Sequence, residues 1–199
     1  RRVLDVKAID VNVHKNEMCR KFAQAGMLPV LTDAMLAMCQ VAKEDTSEWM
    51  HVHYLAKILH IFCNYGDITV KAHVVEPKVM RNALKIIDIG MSGKNTSTFG
   101  PIEKQNMMVL VEQLVKCIRV LSMVLSPAVI NALQKQNVIP VLVSFLPTEP
   151  LTNSNNLQNM AIGAIYHLCR LSPPRQEQAA VAGIVPRLKF LFKAATSVW

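Results

Sequence analysis

One eight-residue pattern occurs three times in the chain, as Phe22-Ala-Gln-Ala-Gly-Met-Leu-Pro29, Leu133-Gln-Lys-Gln-Asn-Val-Ile-Pro140 and Ala179-Ala-Val-Ala-Gly-Ile-Val-Pro186. Each copy joins two apolar helical stretches through a Gly or Asn, two apolar residues and a Pro. Gly and Asn tolerate the left-handed conformation found after many helices. Pro suits the first turn of a helix, because its missing N–H would have no partner there. The pattern predicts helix, sharp turn, helix, and its recurrence predicts stacked repeats.

The spacing of these prolines sets the number of repeats. Pro140 and Pro186 lie 46 residues apart, which is within the range of about 40–47 residues for armadillo and HEAT repeats. A degenerate copy, Val70-Lys-Ala-His-Val-Val-Glu-Pro77, fills the longer gap after Pro29, and the polar segment 92–101 predicts an inserted loop. We therefore predict a single domain of about four repeats, approximately 1–42, 47–92, 102–147 and 156–199.

The composition and the apolar spacing favour helices throughout. Apolar residues make up 51% of the chain and aromatic residues only 6%, which favours helix-on-helix packing. No alternation is long enough to predict a strand. The expected fold is all-α, a right-handed armadillo-like or HEAT-like α-solenoid. After the first repeat, helices are predicted over about 48–66, 67–75, 77–89, 103–126, 127–136, 138–146, 157–171, 173–182 and 184–195.

The hydropathy, the first residues and the cysteines indicate the cellular compartment of the chain. No stretch approaches the roughly 20 apolar residues of a membrane span, and the first residues lack the pattern of a signal peptide. The chain does not begin with Met, so we expect a fragment of a longer protein. Its five cysteines are widely separated and include no CxxC. This is typical of reduced, buried thiols in an intracellular protein, and we expect a cytoplasmic location.

The sequence carries no signature of catalysis or metal binding. It contains no Gly-x-Gly, HRD, DFG or GxSxG motif, so we expect this segment not to be an enzyme. The best metal candidates are His60 and Cys63, with His51 and His53 upstream. A metal site needs three or four converging ligands, and His51 and His53 lie on different faces of one helix. We therefore expect no metal and no cofactor.

Two Ser-Pro dipeptides occupy matching places in the third and fourth repeats. Ser126-Pro127 and Ser172-Pro173 each stand at the junction of two predicted helices. The favoured interpretation is structural, with Ser as the N-cap and Pro as the first helical residue. The alternative is a pair of proline-directed phosphorylation sites.

The third helix of each repeat is the place to search for a binding surface, because these helices line the concave groove of armadillo solenoids. The formal net charge of +8 indicates an acidic partner. Arg and Lys on such helices suit the carboxylate or phosphate groups of a peptide. The alternative is that they form ordinary solvated helix faces. The predicted partner-binding residues are Lys78, Arg81, Asn82, Lys85, Arg187 and Lys193, with Val79, Ala83, Ile86 and Ile87 on the apolar side of the first of these helices.

A family resemblance emerges from segment 159–186. Within it, Arg175-Gln-Glu-Gln-Ala-Ala180 followed by Gly183-Ile-Val-Pro186 resembles an armadillo-like part of certain Ste20-like protein kinases, those of the fungal septation-initiation and mitotic-exit networks. Plant epsilon-type MAP triple kinases carry a similar segment. The resemblance implies a non-catalytic region that helps to place a kinase on a scaffold at the spindle pole body or division site. It also implies regulation by a small Ras-like GTPase.

Several functions fit these features. We favour a protein-interaction region of a cell-division kinase that binds a scaffold or regulatory partner. A generic armadillo adaptor unrelated to a kinase is the alternative. An importin-like receptor is disfavoured, because Trp49 and Trp199 do not lie on third helices. Nucleic-acid binding is also disfavoured, because only Phe190 lies near a basic spot. The apolar end of the chain does not resemble a polar cap, which predicts further repeats, a partner or self-association.

Overall fold

The computed structural model describes residues 2–42, 48–94, 99–147 and 156–196. These residues form eleven α-helices and contain no strand, which confirms the all-α prediction. The helices are α1 (Arg2–Gln24), α2 (Met27–Val41), α3 (Glu48–Tyr65), α4 (Ile68–Val74), α5 (Pro77–Lys94), α6 (Pro101–Ser122), α7 (Pro127–Lys135), α8 (Val138–Ser144), α9 (Asn156–Cys169), α10 (Pro173–Val181) and α11 (Ile184–Thr196).

The chain divides into two compact units, of which the first is Arg1–Cys117. In this unit α2 packs against α3 and α5, while α1 packs against α2, α3 and α4. The rings of Phe22 and Phe62 lie 5.0 Å apart between centroids. Burying one large apolar side chain contributes about 1.5–3 kcal/mol. The largest fully buried side chains of this unit are Trp49, Phe62, Leu28, Met35, Leu59, Ile86, Ile87, Met107, Leu110 and Leu114.

The second unit is Ile118–Trp199. Here α8 packs against α7, α9 and α10, and α10 also packs against α9 and α11. Its core residues recur at the one-turn and two-turn spacings of amphipathic helices. The buried apolar residues include Leu121, Val129, Leu133, Val138, Ile139, Leu142, Leu157, Ala161, Ala164 and Leu168.

The three turns predicted from the repeated pattern are confirmed. Gly26, Asn137 and Gly183 all have positive φ angles, of 71°, 56° and 83°. Asn137 is the one described residue other than Gly with such a φ. The degenerate copy turns differently: Val74 stands at the position of Gly26, Asn137 and Gly183, and its φ is not positive. A β-branched residue resists the left-handed region, so α4 ends at Val74 and Pro77 directly begins α5.

Helix α5 is longer than predicted and ends at Lys94, not near Ile89. Two glycines of α5 allow side chains of α6 to approach closely. A Cβ at Gly90 would lie 2.5 Å from Cγ2 of Val111. A Cβ at Gly93 would clash with the terminal methyl group of Met107, which would have to move. The predicted loop 92–101 is therefore partly wrong, and its residues 95–98 lie outside the described ranges.

The other predicted helices agree with the observed ones to within a few residues. The main exception is the helix predicted over 103–126, which ends at Ser122. Ser47, the predicted N-cap of α3, lies outside the described residues. The division into four repeats and the solenoid stay predictions.

The Ser-Pro junctions have the predicted position but not the predicted bond. Ser126 and Ser172 occupy the N-cap positions of α7 and α10 with extended backbones, and each is followed by a Pro in the first turn. Neither serine side chain makes a capping hydrogen bond. An N-cap side chain accepts from the N–H of the second or third helical residue, and here the ring of the Pro fixes the first turn without that bond. Phosphorylation of these serines stays a hypothesis.

Candidate partner-binding surface

Helix α5 has an apolar face toward the core and a basic face toward solvent. Its predicted apolar residues are all buried. Lys78, Arg81 and Lys85 are exposed on the opposite side, and we call these three residues the α5 basic stripe. The amphipathic arrangement predicted from their spacing is confirmed, while their binding role stays a prediction.

The first residue of the stripe has a partner within the chain. Nζ of Lys78 lies 2.6 Å from Oδ2 of Asp33 on α2, and both side chains are about half exposed. Asn82 Nδ2 donates to Oδ1 of the same carboxylate at 2.8 Å and to Oγ1 of Thr32 at 3.4 Å. Lys78 first, and then Asn82, hold the pKa of Asp33 below its ordinary value. These groups link α5 to α2.

Asn82 is therefore a structural residue in this arrangement. Its side chain is buried, in contrast to the exposed position that sequence reasoning gave it. No role was predicted for Asp33 from the sequence. It stands four residues after Pro29, as Arg81 stands four residues after Pro77, and an acidic residue at that position was the available signal that it could pair with a cation of α5.

Arg81 and Lys85 have the chemistry that a partner-binding surface needs. They lie one helical turn apart, and both side chains are exposed. Neither forms a hydrogen bond or an ion pair with any residue that the structure describes. A guanidinium can hold a carboxylate or phosphate in a bidentate manner, and a lysine adds a compact point charge.

Arg187 of the second unit is partly exposed and contacts backbone carbonyls. Its Nη1 donates to the carbonyl oxygen of Leu146 and, at 3.4 Å, to that of Ser144. These carbonyls lie at the C-terminal end of α8, where a positive charge is favourable. Arg187 thus joins α11 to α8, while Lys193, further along α11, is exposed. Arg187 and Lys78 each directly follow a Pro in the sequence, but the two side chains have different surroundings.

The segment that carries the family resemblance connects helices within the second unit. Arg175 donates from Nη2 to Oδ1 of Asn131 at 2.6 Å and from Nε to Oε1 of Gln134 at 3.0 Å. Gln178 donates to Oδ1 of Asn137 at 3.1 Å. Sequence reasoning did not single out these acceptors, which lie 41–44 residues before their donors. The most specific residues of the resemblance therefore join α10 to α7 and to the turn between α7 and α8.

Trp49 belongs to the core of the first unit. Its side chain is fully buried in α3, and its Nε1 has no hydrogen-bond partner among the described residues. His53, one turn later, is also buried, and its Nδ1 likewise has no hydrogen-bond partner among the described residues. Burial lowers the pKa of His53, and the charges of Lys57 and Lys116 lower it further. Trp49 is thus not exposed for peptide binding of the importin-like kind, and Trp199 lies outside the described residues.

The histidines and cysteines considered as metal ligands do not converge. Among the described ranges, no three His, Cys, Asp or Glu side chains come close enough to hold a metal ion. His60 contacts Asn64, and His51 contacts Glu48. The cysteines are all free, and four of the five are buried. Burial and the neighbouring Cys63 raise the pKa of Cys117 well above its ordinary value.

None of the described helices is, taken alone, both long enough and apolar enough to cross a membrane. One broken pair, Asn12–Gln24 with Met27–Val41, passes that test when its two helices are counted together, although they are bent by 80°.

The described residues thus define an all-α protein in which Arg81 and Lys85 of α5 are exposed without a partner among the described residues. The chain is similar to proteins of cell division. It is 30% identical over 181 residues to cytokinesis protein sepH of Aspergillus terreus and 29% identical to that of Emericella nidulans, and each match covers 90% of this chain. It is 26% identical over 178 residues to cell division control protein 7 of Schizosaccharomyces pombe.

These matches extend the similarity from segment 159–186 to nine-tenths of the chain. The chain spans 12% of the length of the sepH proteins and 15% of that of cell division control protein 7. No protein-family model matches it, and neither does any solved structure. A relation to cell-division proteins follows for this segment.

Proposed function

We propose that this chain is a non-catalytic interaction region of a cell-division protein kinase. It binds an acidic or phosphorylated segment of a scaffold or regulatory partner through the α5 basic stripe. The observation that carries this proposal is the pair Arg81 and Lys85, exposed one turn apart with no intrachain partner in the described residues. The similarity to cytokinesis protein sepH and to cell division control protein 7 supports the cell-division role.

The electrostatics of the stripe limit what it can do alone. An exposed ion pair contributes only about 0.2–1 kcal/mol, so two cations do not give tight binding by themselves. Lys78 can add a third contact where an incoming anion competes with Asp33 for its ammonium. Such binding is weakened by salt, because exposed charges are screened over about 8–10 Å at physiological ionic strength. The partner segment therefore needs several negative charges or additional contacts.

The proposal includes the repeat architecture and the location. The helix–turn–helix units joined by left-handed residues support four armadillo-type repeats in a right-handed solenoid. The partner class is a spindle-pole scaffold or a Ras-like GTPase, with self-association as a further mode. The proposed cellular location is the cytoplasm and the division site. A fluorescently tagged full-length protein lacking residues 1–199 of this segment should lose its recruitment to that site.

The direct test measures the affinity of anionic peptides for the purified chain. We expect an eight-residue glutamate-rich peptide and its phosphoserine counterpart to bind in fluorescence polarisation, and a serine counterpart to bind more weakly. Arg81→Glu combined with Lys85→Glu should weaken binding at least tenfold, because two attractions become repulsions. Lys135→Glu combined with Lys189→Glu is the control, since it changes the net charge equally on other exposed helix positions.

Two results would contradict the proposal. Equal losses in the α5 and control variants would show that binding follows total charge and needs no particular surface. Tighter binding of a single-stranded dT20 oligonucleotide than of either acidic peptide would favour the nucleic-acid alternative, since that ligand offers a phosphate at every step.

A further inference from the structure

The second unit exposes the same tripeptide twice. Leu125-Ser126-Pro127 precedes α7 and Leu171-Ser172-Pro173 precedes α10, 46 residues later. The two leucines are 87% and 86% exposed, among the most exposed large apolar side chains that the structure describes. Loops between helices are ordinarily polar. Exposed apolar side chains that lie together are typical of contact surfaces, so the question is whether Leu125 and Leu171 share one surface.

The two loops border one open cleft of about 300 Å³. Its walls come from residues 122–127, from Ile130 of α7, and from the end of α9 with the loop that follows it. Leu125 and Leu171 both line it, and we call it the Leu-Ser-Pro cleft. Its volume is at the lower end of the range for ligand sites, so it suits one or two side chains and not a large cofactor.

The charge of the cleft is positive. Arg170, Arg175 and His167 line it, and no acidic side chain does so within the part of the chain that the structure describes. Arg175 is held by Asn131 and Gln134 and forms a fixed wall. Arg170 is exposed, and its side chain makes no hydrogen bond or ion pair with any described residue. Residues 118–199 contain seven Lys and Arg but only two Asp and Glu.

We infer that the Leu-Ser-Pro cleft docks a short segment of a partner protein in which an apolar side chain stands next to one or more acidic residues. The apolar side chain enters between Leu125 and Leu171, and the carboxylate pairs with Arg170. Apolar contact provides the burial, while the charge pair fixes the orientation of the segment. This surface belongs to the second unit and is independent of the α5 basic stripe.

The charges favour a different protein over a second copy of this chain. In a symmetric dimer built on this cleft, each Arg170 would approach cationic residues of the other cleft, because the same patch is used twice. Like charges brought together in this way are unfavourable. Proteins that bind single-stranded nucleic acid ordinarily stack its bases on aromatic side chains, and no Phe, Tyr or Trp lines the cleft within the described residues.

The test selects ligands without naming them in advance. A phage-displayed library of random 12-residue peptides is panned on the full chain, and enriched peptides are then synthesised and measured by fluorescence polarisation. We expect them to combine Leu, Ile or Phe with adjacent Asp or Glu. The double variant Leu125→Ser with Leu171→Ser should weaken their binding at least tenfold, and Arg170→Glu should do the same. Lys189→Glu, a single charge reversal at another exposed position of the second unit, is the matched control for Arg170→Glu and should leave binding unchanged.

Each of the following results would contradict docking at the Leu-Ser-Pro cleft and would leave the proposed role of the α5 basic stripe unaffected. Failure of the library to enrich any common pattern, or enriched peptides that bind the leucine variant as well as the original chain, would overturn the inference. So would sedimentation showing a dimer that the leucine variant dissociates, or dT20 binding that Arg170→Glu abolishes. Circular dichroism and the urea midpoint of each variant confirm that it is folded, since the three changed side chains are exposed.

Discussion

Removing the guanidinium of Arg175 should loosen the second unit, because this side chain ties three helices together. Arg175→Met deletes the charged group while keeping an unbranched apolar stem of similar length. It removes the bonds to Asn131 and Gln134 of α7, at 2.6 Å and 3.0 Å, and a longer contact with the carbonyl of Leu168 on α9 at 3.4 Å.

The expected loss follows from these contacts. Hydrogen bonds that involve a charged group contribute about 1.5–3 kcal/mol each. The bond to Asn131 is exposed and competes with water, so it belongs at or below the low end of that range. The longer contact with Leu168 adds little at its distance. The free energy of unfolding should therefore fall by about 2–4 kcal/mol. With a urea m-value of about 2 kcal/mol/M, the midpoint should fall by about 1–2 M.

The assay is urea unfolding followed by far-ultraviolet circular dichroism, with amide hydrogen exchange to localise the effect. Arg170→Met is the matched control, since that arginine is exposed on the same side of the second unit. It should change stability by less than about 0.5 kcal/mol. Exchange should accelerate in α7 and α10 of the Arg175 variant. A midpoint that falls no further than that of the control would refute the reasoning.

Two further predictions concern the first unit. Asn82→Ala should lower the unfolding free energy by about 1–2 kcal/mol. It should also raise the pKa of Asp33, because that carboxylate loses a hydrogen-bond donor. NMR titration measures this pKa, and an unchanged value would contradict the prediction. Burial holds the pKa of His53 below its ordinary value of 6.5, so the unfolded chain binds a proton first as the pH falls. The contribution of His53 to the free energy of unfolding should therefore be fully present above about pH 6.5. Below that pH it should decline, by at most about 1.4 kcal/mol per pH unit for this one group. Urea midpoints measured at pH 7.5 and 5.5 should show a smaller difference in His53→Phe, and an equal difference would count against this assignment.

The helices could be predicted because their signals are local. Apolar spacing, Pro in the first turn and Gly or Asn after the last turn each act within a few residues. Where the prediction was wrong, a distant residue decided the outcome. Gly93 belongs to the predicted loop 92–101, yet it lies within α5, and side chains of Val111 and Met107 on α6 occupy the space beside Gly90 and Gly93.

The candidate site was less predictable for the same reason. The charge and spacing of Arg81 and Lys85 could be read directly, and both side chains are exposed. The roles of Asn82 and Arg187 could not, because each depends on an acceptor at least 41 residues away. A helix face that is polar in sequence can meet solvent or a neighbouring helix, and the pattern is the same in either case.

By itself, the sequence determined the all-α class, the three left-handed turns and the amphipathic division of α5, because these follow from backbone sterics and from the burial of apolar side chains at helical spacing. The tertiary structure alone decided which polar groups remain available to a partner. It placed Asn82 and Arg187 in helix–helix contacts and left Arg81 and Lys85 exposed. It also brought Leu125 and Leu171, 46 residues apart, to the edge of one cleft. Distances across the chain are set by packing, which no local pattern encodes.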